Sequence, residues 1–239
     1  MQRLCAKHPV FFYKLSPFLP YKRSMIVKAC IFDLDGVIVD TAVYHFKSWK
    51  RLADELGINF TLQDNERLKG VSRMRSLEII LEIGKTTKNE AEKQELASRK
   101  NEWYTEMISK MTPAEVLPGA EMFLQEVKNA GIKTVLGSGS KNAGIILGKT
   151  GITPFFDAII DGNDVSKAKP DPEVFLKGAE AVHVRPADCV VFEDAIAGVE
   201  AALAGGMKAV GIGLPEILSK ADLVVPGLAE MNLEKLNAL

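Results

Sequence analysis

Residues 30–41 read CIFDLDGVIVDT, and this stretch decides the fold. An apolar run of β-branched and aromatic residues ends abruptly in two carboxylates, Asp33 and Asp35, which are followed at once by Gly36. The run predicts a buried strand, and the glycine gives the backbone the freedom for a sharp exit. Ligands bind at the carboxyl ends of strands in open α/β sheets, so the two acids are candidates for attacking a substrate or holding a metal ion. A solvated turn after the strand is the alternative that this motif alone leaves open.

The composition is that of an ordinary globular protein. Of 239 residues, 47% are hydrophobic and 26% are charged, and the formal net charge is -1. This length predicts one large domain or a domain with an insertion. The charge balance provides no basic surface for nucleic acid or a membrane, and no apolar stretch is long enough to span a bilayer. We therefore expect neither a nucleic-acid nor a membrane partner, and an anionic ligand must be met by a local cluster of cations.

The cysteines and the N-terminal segment bear on where the protein works. Cys5, Cys30 and Cys189 form no CxxC pair, and two of them fall within predicted buried strands, which is typical of reduced core residues in a cytoplasmic protein. Residues 1–24 are basic and acid-free, and they lack the apolar centre and cleavage site of a signal peptide. We expect this extension to be loosely attached or disordered, with Met25 as a second candidate start; an organelle presequence is the alternative.

A helical insertion follows the opening motif. Apolar residues recur at spacings of three and four over residues 43–56, and Gly57 is placed to end that helix. Residues 60–110 stay helical and charged, with helices predicted at 76–83 and 90–111 and no convincing strand. Two prolines and a glycine in TPAEVLPG, residues 112–119, end the region. We therefore predict a helical domain over residues 41–111, inserted into an α/β core made of residues 25–40 and 112–239.

Strands and helices alternate along the rest of the chain, which predicts crossover connections and a parallel sheet between helical layers. The predicted strands span residues 133–137, 158–160, 189–192, 208–212 and 223–225. The predicted helices span residues 120–130, 143–150, 173–182, 198–204 and 216–218. The fold class is therefore α/β, with a Rossmann-like parallel sheet and a helical domain inserted after the first strand.

Polar residues also follow the second predicted strand, KTVLG, at the same edge of the sheet. The strand runs into Ser138, Gly139, Ser140 and Lys141. Their hydroxyls, backbone N–H groups and ammonium could surround a phosphate at a helix N-terminus. A flexible turn is the alternative for this loop.

Two further segments complete a set of reactive groups. The strand CVVF ends in Glu193 and Asp194, whose oxygens suit a hard cation, although Asp194 could instead cap the next helix. Lys169 lies in the sequence KPDP, where two prolines stiffen the backbone and the lysine could meet a fixed anion; loop lysines are otherwise solvated. With Asp33 and Asp35, these groups supply a nucleophile, an acid for proton transfer, a metal site and a phosphate-binding cation. The combination predicts a phosphoryl-transfer site.

Four segments resemble the signature motifs of the haloacid dehalogenase-type phosphotransferases: DLDGVIVDT, LGSGSKN, Lys169-Pro170 and VFEDAIAGVEAA. The resemblance covers about residues 25–226 and implies the α/β core with a helical cap domain of that superfamily. Within the insertion, DTAVYHFKSWKRLADELGI and LKGVSRMRSLEIIL are similar to the β-phosphoglucomutase family. This similarity implies a magnesium-dependent, monomeric enzyme that interconverts β-D-glucose 1-phosphate and glucose 6-phosphate, through an aspartyl phosphate and glucose 1,6-bisphosphate.

The resemblance also implies roles for the core carboxylates. Asp33 would be the nucleophile that becomes the aspartyl phosphate, and Asp35 the general acid and base for the sugar hydroxyl. Magnesium would be held by the Asp33 carboxylate, the Asp35 backbone carbonyl and Asp194, with Glu193 supporting it through water.

The residues implied to bind the substrate and its phosphates are Gly70, Arg73, Ser76, Lys100, Asn101, Ser138, Gly139, Ser140, Lys141, Asn142 and Lys169. Ser138 and Lys169 would hold the transferring phosphate. Arg73 from the cap and residues 140–142 from the core would bind the opposite phosphate, because a bisphosphate needs cations at both ends. Gly139 stands where related enzymes may carry a side chain; only its backbone N–H is needed, so we expect added flexibility and no lost chemistry.

Four residues of the insertion are implied to face the reacting groups. His45 would orient Asp35 when the cap closes, and Thr41 would contact Asp35 as well; a partly exposed histidine and a helix N-cap are the alternatives. Lys100 and Asn101 would face the sugar, with a solvated helix face as the alternative for both.

Two other functions fit parts of the pattern. A sugar-phosphate phosphatase would use the same core, since hydrolysis needs only water in place of the second hydroxyl, and the core motifs do not separate it from a mutase. The VSR and YHFKSW segments of the insertion favour the mutase. A receiver-like module, which accepts phosphate on an aspartate for signalling, would need no insertion of about seventy residues.

Overall fold

The computed structural model describes residues 27–68 and 71–239, and within them six strands form one sheet. The strands are Ala29–Phe32 (β1), Lys133–Gly137 (β2), Ala158–Ile160 (β3), Cys189–Glu193 (β4), Lys208–Ile212 (β5) and Leu223–Val225 (β6). All neighbouring strands are parallel, in the order β3-β2-β1-β4-β5-β6. The predicted α/β class is confirmed, and the strands predicted after the insertion differ only in that β4 extends by one residue to Glu193.

The central strands are buried on both faces of the sheet, as parallel strands between helical layers must be. Every residue of β1 and β4 is buried. On one face, Phe32 stacks on Phe192 with ring centroids 4.6 Å apart, and Phe123 meets both rings edge-on. On the other face, Ile31 belongs to a separate hydrophobic cluster that includes Phe175. Sheet and helices therefore share two cores, one on each side of the sheet.

Within the described part of residues 41–111, the α-helices are Ala42–Glu55 (α1), Leu62–Glu66 (α2), Arg73–Ile83 (α3) and Glu90–Ile108 (α4). These helices have a hydrophobic cluster of their own, with Trp49 from α1, Leu77 from α3 and Leu96 from α4. The end of α4 leaves that cluster, because Tyr104 and Ile108 pack into the core over the Phe32 face of the sheet. The described part of residues 41–111 contains no strand, as predicted.

The starts and ends of these helices follow local capping rules. The side chains of Thr61, Ser72 and Asn89 each accept a hydrogen bond from the backbone N–H three residues further on, which satisfies a free donor of the first turn. Gly57 follows α1 with φ 70°, a left-handed conformation that glycine adopts without steric cost. The predicted end of the first helix is confirmed at this position.

The remaining helices cover the two faces of the sheet. In the described residues they are Ala120–Asn129 (α5), Ala143–Thr150 (α6), Glu173–Ala181 (α7), Ile196–Ala204 (α8) and Leu233–Asn237 (α9). Helices α5, α6 and α9 contribute to the core on the Phe32 face, and α7 and α8 contribute to the core on the opposite face. The five-residue helices α2 and α9 were not predicted separately, because so short a segment shows no helical period.

The helix predicted at residues 216–218 is wrong. These residues form a single turn, in which the N–H groups of Ile217 and Leu218 both donate to the carbonyl of Leu214, at 3.0 Å each. Leu218 is 2% exposed and packs beside Gly211 of β5, whereas Ile217 is half exposed. The burial of Leu218 therefore determines the conformation of residues 216–218, and this segment is too short to propagate a helix.

Two of the three cysteines lie within the described residues. Cys30 and Cys189 are buried and free of disulfide bonds. Cys5 and the extension predicted over residues 1–24 lie outside the described residues. No helix in residues 27–68 and 71–239 combines the length and the apolar character needed to cross a membrane.

The strand order places a ligand-binding crevice beside β1. The order reverses at β1, since β2 and β3 lie on one side of it and β4 to β6 on the other. In open parallel sheets, the strand ends at such a reversal diverge and leave a crevice at their carboxyl edge. Asp33 directly follows β1 and Glu193 ends β4, so the predicted site lies at this crevice.

Candidate active site

A buried lysine joins two carboxylates at the carboxyl ends of β1 and β4. The N–H of Asp33 donates to the carbonyl of Phe192 at 3.0 Å, which brings Asp33 beside Glu193. Lys169 Nζ lies 2.5 Å from Asp33 Oδ1 and also forms an ion pair with Glu193. None of the three side chains is more than 9% exposed. The charges therefore compensate each other away from solvent, as buried ions must.

The ionisation of this triad follows from burial and mutual attraction. Burial by itself would lower the pKa of Lys169, but the charges of Asp33 and Glu193 outweigh it and raise the pKa above its ordinary value. Burial, with repulsion from Asp33, raises the pKa of Glu193 against the attraction of Lys169. Lys169 consequently stays protonated beside Asp33 Oδ1. The alternative of a solvated loop lysine is excluded.

The loop after β1 brings Asp35 and Asp194 to the same place. Asp33 Oδ2 accepts a hydrogen bond of 3.0 Å from the N–H of Asp35. Gly36 has φ 79°, and a Cβ there would overlap the carboxylate of Asp194, so only glycine fits. The N-cap position of α8 is Ala195 and not Asp194. Asp194 therefore faces the catalytic loop, which favours its predicted role over that of a helix cap.

These donors suit magnesium. No group of three or more His, Cys, Asp or Glu side chains in residues 27–68 and 71–239 forms a ready cluster for a metal ion. Magnesium, however, keeps several waters and needs only one or two protein carboxylates. Asp33 and Asp194, which lies against Gly36 of the loop after β1, provide carboxylates of this kind, and Asp35 of the same loop could add its backbone carbonyl.

The loop after β2 is held by hydrogen bonds to its own serines. Ser138 is 1% exposed, and its Oγ accepts a hydrogen bond of 3.1 Å from the N–H of Ser140. Ser140 Oγ in turn accepts one of 3.3 Å from the N–H of Asn142, next to the start of α6. Gly139 has open space where a Cβ would be, so a side chain would fit there. The loop is thus ordered by its own serines, in contrast to the flexible turn considered from the sequence.

Thr41 and Asp35 form a hydrogen-bonded pair across the start of the insertion. Thr41 Oγ1 donates to Asp35 Oδ1, and Thr41 is fully buried. Thr41 occupies the N-cap position of α1, but its side chain makes no capping hydrogen bond. Burial and the charge of Asp33 raise the pKa of Asp35 to about 7, against the opposing effects of Thr41, Lys169 and Lys100. A carboxyl group with this pKa can both release and accept a proton near neutral pH.

Lys100 is buried and contacts His45, which is half buried. Lys100 Nζ lies 3.2 Å from His45 Nδ1, and Lys100 is 2% exposed. Burial, followed by the charge of Arg73, lowers the pKa of Lys100 to about 7. Burial, followed by the charges of Lys100 and Arg73, lowers the pKa of His45 well below its ordinary value. The solvated helix face considered for Lys100 is therefore excluded, and its ammonium is directed at His45.

The insertion and the core also meet through two asparagines. Asn142 Nδ2 donates to Asn101 Oδ1 at 3.0 Å, which connects α4 to the start of α6. Arg73 is the first residue of α3, half buried, and Ser76 is buried one turn further along the same helix. Lys141 is exposed at the rim. Gly70 lies outside the described residues, so its predicted role stays a prediction.

Two residues of the site were missed from the sequence. Tyr104 is fully buried and packs against His45 with ring centroids 4.2 Å apart and the rings tilted by 33°, and its ring centroid lies 4.6 Å from Lys100 Nζ. The sequence signal that could have identified Tyr104 is its position four residues after Lys100, which places both side chains on the same face of a helix. Gly198 of α8 is the second residue that was missed. A Cβ at this position would overlap the carboxylate of Glu193.

A family model described as haloacid dehalogenase-like hydrolase matches residues 27–206. The chain belongs to this family. It is 49% identical to β-phosphoglucomutase of Bacillus subtilis over 88% of this chain and 94% of that protein. It is 33% identical to a fructose-1-phosphate phosphatase of Escherichia coli over 77% of this chain and 95% of that protein. A crystal structure of β-phosphoglucomutase from Clostridium difficile superposes with a TM-score of 0.85 at 43% identity, covering 89% of this chain and 96% of that one.

Membership of the haloacid dehalogenase-like family identifies the chain as an enzyme. The four segments that resembled its motifs lie at the carboxyl ends of strands or in the loop that carries Lys169. The similarity to β-phosphoglucomutases extends over both the core and the insertion, since it covers 88% of the chain.

Substitution of Gly198 tests how tightly the Glu193 carboxylate is held. We expect Gly198→Ala to lower the free energy of unfolding by about 1–3 kcal/mol, because the new methyl group displaces a buried, ion-paired carboxylate. Gly148→Ala is the matched control in α6, where a Cβ meets open space. It should raise stability by up to about 1 kcal/mol. Urea denaturation measures the free energy of unfolding of both variants. If Gly198→Ala loses no stability, the packing of Glu193 on α8 is contradicted.

Proposed function

We propose that this protein is a magnesium-dependent β-phosphoglucomutase, which interconverts β-D-glucose 1-phosphate and glucose 6-phosphate. The observation that carries the proposal is that two acids of one loop have different surroundings. Asp33 forms an ion pair with Lys169 and is itself a candidate metal ligand. Asp35 instead accepts a hydrogen bond from Thr41, in the field of Lys100, which contacts His45. The first environment suits a nucleophile and the second a proton-transfer group. The similarity to β-phosphoglucomutases supports the same function.

In the proposed reaction, the phosphorylated form of Asp33 donates its phosphoryl group to the 6-hydroxyl of β-glucose 1-phosphate. Asp35 accepts the proton of that hydroxyl as the oxygen–phosphorus bond forms, and the acyl phosphate bond to Asp33 breaks. The bisphosphate then turns over in the site. Asp33 takes the phosphoryl group from the 1-position, and Asp35 returns the proton to the departing sugar oxygen. Glucose 6-phosphate leaves, and the aspartyl phosphate is restored.

Lys169 and Ser138 would hold the transferring phosphoryl group, since Lys169 is buried against Asp33 and Ser138 is buried directly after β2, the strand that pairs with β1. Asp33, the Asp35 carbonyl and Asp194 would hold magnesium, with Glu193 acting through water. When bound, the ion neutralises the charge of the phosphate oxygens. Asp33 Oδ1 contacts Lys169 Nζ, and Asp33 Oδ2 accepts a hydrogen bond from the N–H of Asp35, so this side chain is oriented before substrate arrives.

Arg73, with Ser140, Lys141 and Asn142, would bind the phosphate at the far end of the sugar. Helices α3 and α6 place these groups on the insertion and on the core, so the bisphosphate would connect the two. Asn101 already contacts Asn142 and would face the sugar with Lys100. Gly70 and Ser76 complete the proposed set.

We further propose that residues 41–111 act as a cap that excludes water during transfer. The aspartyl phosphate must wait for a sugar hydroxyl while water competes for it, so a closed site separates a mutase from a phosphatase. Thr41, His45 and Lys100 all come from this region, so closure would also assemble the surroundings of Asp35. One chain supplies every group invoked, which suits a monomer; the cytoplasmic location stays a prediction.

A sugar-phosphate phosphatase is the second candidate, and similarity to a fructose-1-phosphate phosphatase favours it. The products distinguish the two. We expect incubation with magnesium, β-glucose 1-phosphate and a trace of glucose 1,6-bisphosphate to yield glucose 6-phosphate in step with substrate loss and almost no inorganic phosphate. Asp33→Ala should abolish both products. Phosphate release that matches substrate loss would contradict the mutase, and activity of Asp33→Ala would contradict the aspartyl-phosphate mechanism.

Arg73 tests the proposed binding of the far phosphate. A hydrogen bond to a charged group contributes about 1.5–3 kcal/mol, so Arg73→Ala should lower kcat/KM for β-glucose 1-phosphate by about 10- to 100-fold. Arg75 on the same helix is the matched control: it is exposed and paired with Glu78 and Glu82. Arg75→Ala should keep kcat/KM within about twofold. Equal kcat/KM for wild type and Arg73→Ala, in steady-state kinetics, would refute this role.

A further inference from the structure

The loop after β3, residues 161–164, packs closely against the loop after β2, residues 138–142; we call them the β3 loop and the Ser138 loop. A Cβ on Gly162 would overlap the carbonyl oxygen of Gly139 and lie 3.0 Å from the backbone nitrogen of Lys141. Gly162 does not have the left-handed conformation that favours glycine elsewhere in the chain. Close approach of the two loops therefore requires a glycine at this position.

Two hydrogen bonds from the β3 loop hold successive carbonyl groups of the Ser138 loop. The N–H of Gly162 donates to the carbonyl of Ser140 at 3.2 Å. Asn163 Nδ2 donates to the carbonyl of Lys141 at 3.1 Å. Both acceptors belong to residues that we propose to bind the far phosphate. The β3 loop, which has no part in the proposed mechanism so far, thus restrains two consecutive peptide groups of that site.

The β3 loop is itself held by its acidic residues and by α7. Asp164 Oδ2 accepts a hydrogen bond of 2.8 Å from the N–H of Asp161, and Asp161 Oδ1 accepts one of 2.7 Å from the N–H of Asn163. Lys177 of α7 donates to the carbonyl of Asp164 at 2.5 Å. These contacts restrain the backbone of Asn163, so its side chain has an ordered base from which to reach the Ser138 loop.

Holding a carbonyl also sets the direction of the N–H in the same peptide group, because the two point opposite ways in a trans peptide. The peptide group of the Ser140 carbonyl carries the N–H of Lys141, and that of the Lys141 carbonyl carries the N–H of Asn142. Both N–H groups therefore point away from the β3 loop. The N–H of Asn142 donates to Ser140 Oγ at 3.3 Å. The N–H of Lys141 has no acceptor among residues 27–68 and 71–239.

We propose that Gly162 and Asn163 are positioning residues for the far phosphate. By holding two carbonyl groups of the Ser138 loop, they direct the N–H groups of Lys141 and Asn142 at that phosphate. Successive backbone N–H groups that point the same way form a binding site for anions. Because these donors are oriented in advance, the backbone need not be ordered when the phosphate binds. The inference rests on the proposed function, since it takes the Ser138 loop as the site of the far phosphate.

Asn163→Ala removes the side-chain donor and keeps the backbone of the β3 loop. It should raise KM for β-glucose 1-phosphate about fivefold, through the loss of one positioning hydrogen bond, and leave kcat within about twofold. Asn163→Asp should raise KM at least as much, because a negative charge replaces the donor. Gln125→Ala is the matched control, since its amide donates to Asn129 within α5, and it should change neither constant. A merely structural role would lower kcat through a smaller folded fraction and leave KM unchanged.

Gly162→Ala tests the close approach of the two loops. Its methyl group must displace the Ser138 loop, so KM should rise at least as much as in Asn163→Ala. Gly144→Ala is the matched control at the start of α6, where a Cβ meets open space. Its KM should stay within about twofold of wild type. Steady-state kinetics on purified, folded variants measures these constants.

Titration calorimetry with glucose 1,6-bisphosphate gives a readout without turnover, in an Asp33→Asn protein that cannot accept a phosphoryl group. Adding Asn163→Ala to it should raise the Kd about fivefold. Equal Kd values, or a wild-type KM in Asn163→Ala and Gly162→Ala, overturn this inference and leave the proposed function intact. Release of phosphate in place of glucose 6-phosphate by wild type would refute the mutase and leave this comparison valid. An Asp33→Asn protein that binds no bisphosphate would overturn both.

Discussion

The contact of one buried ammonium with two carboxylates determines how this site is built. Lys169 pairs with Asp33 and Glu193, which end neighbouring strands at the crevice of the sheet. Without Lys169, two carboxylates would lie side by side in a poorly solvated place, and one of them would have to take up a proton. The lysine supplies a compensating charge to both carboxylates. It also connects the loop that contains residue 169 to the carboxyl ends of β1 and β4.

The second acid depends on different neighbours. Asp35 is only two residues from Asp33, yet its neighbours come from the insertion. It contacts Thr41, at the start of the insertion, and it lies in the field of Lys100, from the interior of the insertion. Burial and repulsion by Asp33 raise its pKa to about 7, which suits proton transfer. Two adjacent carboxyl groups thus acquire distinct properties, one from the core and one from the inserted helices. That division explains why the insertion begins within a few residues of the catalytic loop.

Much of the fold could be predicted from the sequence, because it depends on local patterns. The buried strands are apolar runs ended by glycine or acids, and the longer helices have regular apolar spacing, so most boundaries were correct within two or three residues. The turn at 216–218 was misjudged because its shape depends on where Leu218 finds space. The role of Lys100 was implied only by resemblance, with a solvated helix face as the alternative, and Tyr104 was not singled out. Their proximity to His45 is a tertiary contact across 55 or more residues, and no local pattern encodes it.

The identity of the phosphorylated residue is the most direct test of this account. The protein would be incubated with magnesium and glucose 1,6-bisphosphate labelled in its phosphate groups, quenched in acid, digested and analysed by peptide mass spectrometry. The account predicts one labelled peptide, which carries phosphate on Asp33 and is absent in Asp33→Asn. Label on Ser138, on another residue, or on an Asp33→Asn protein would contradict it.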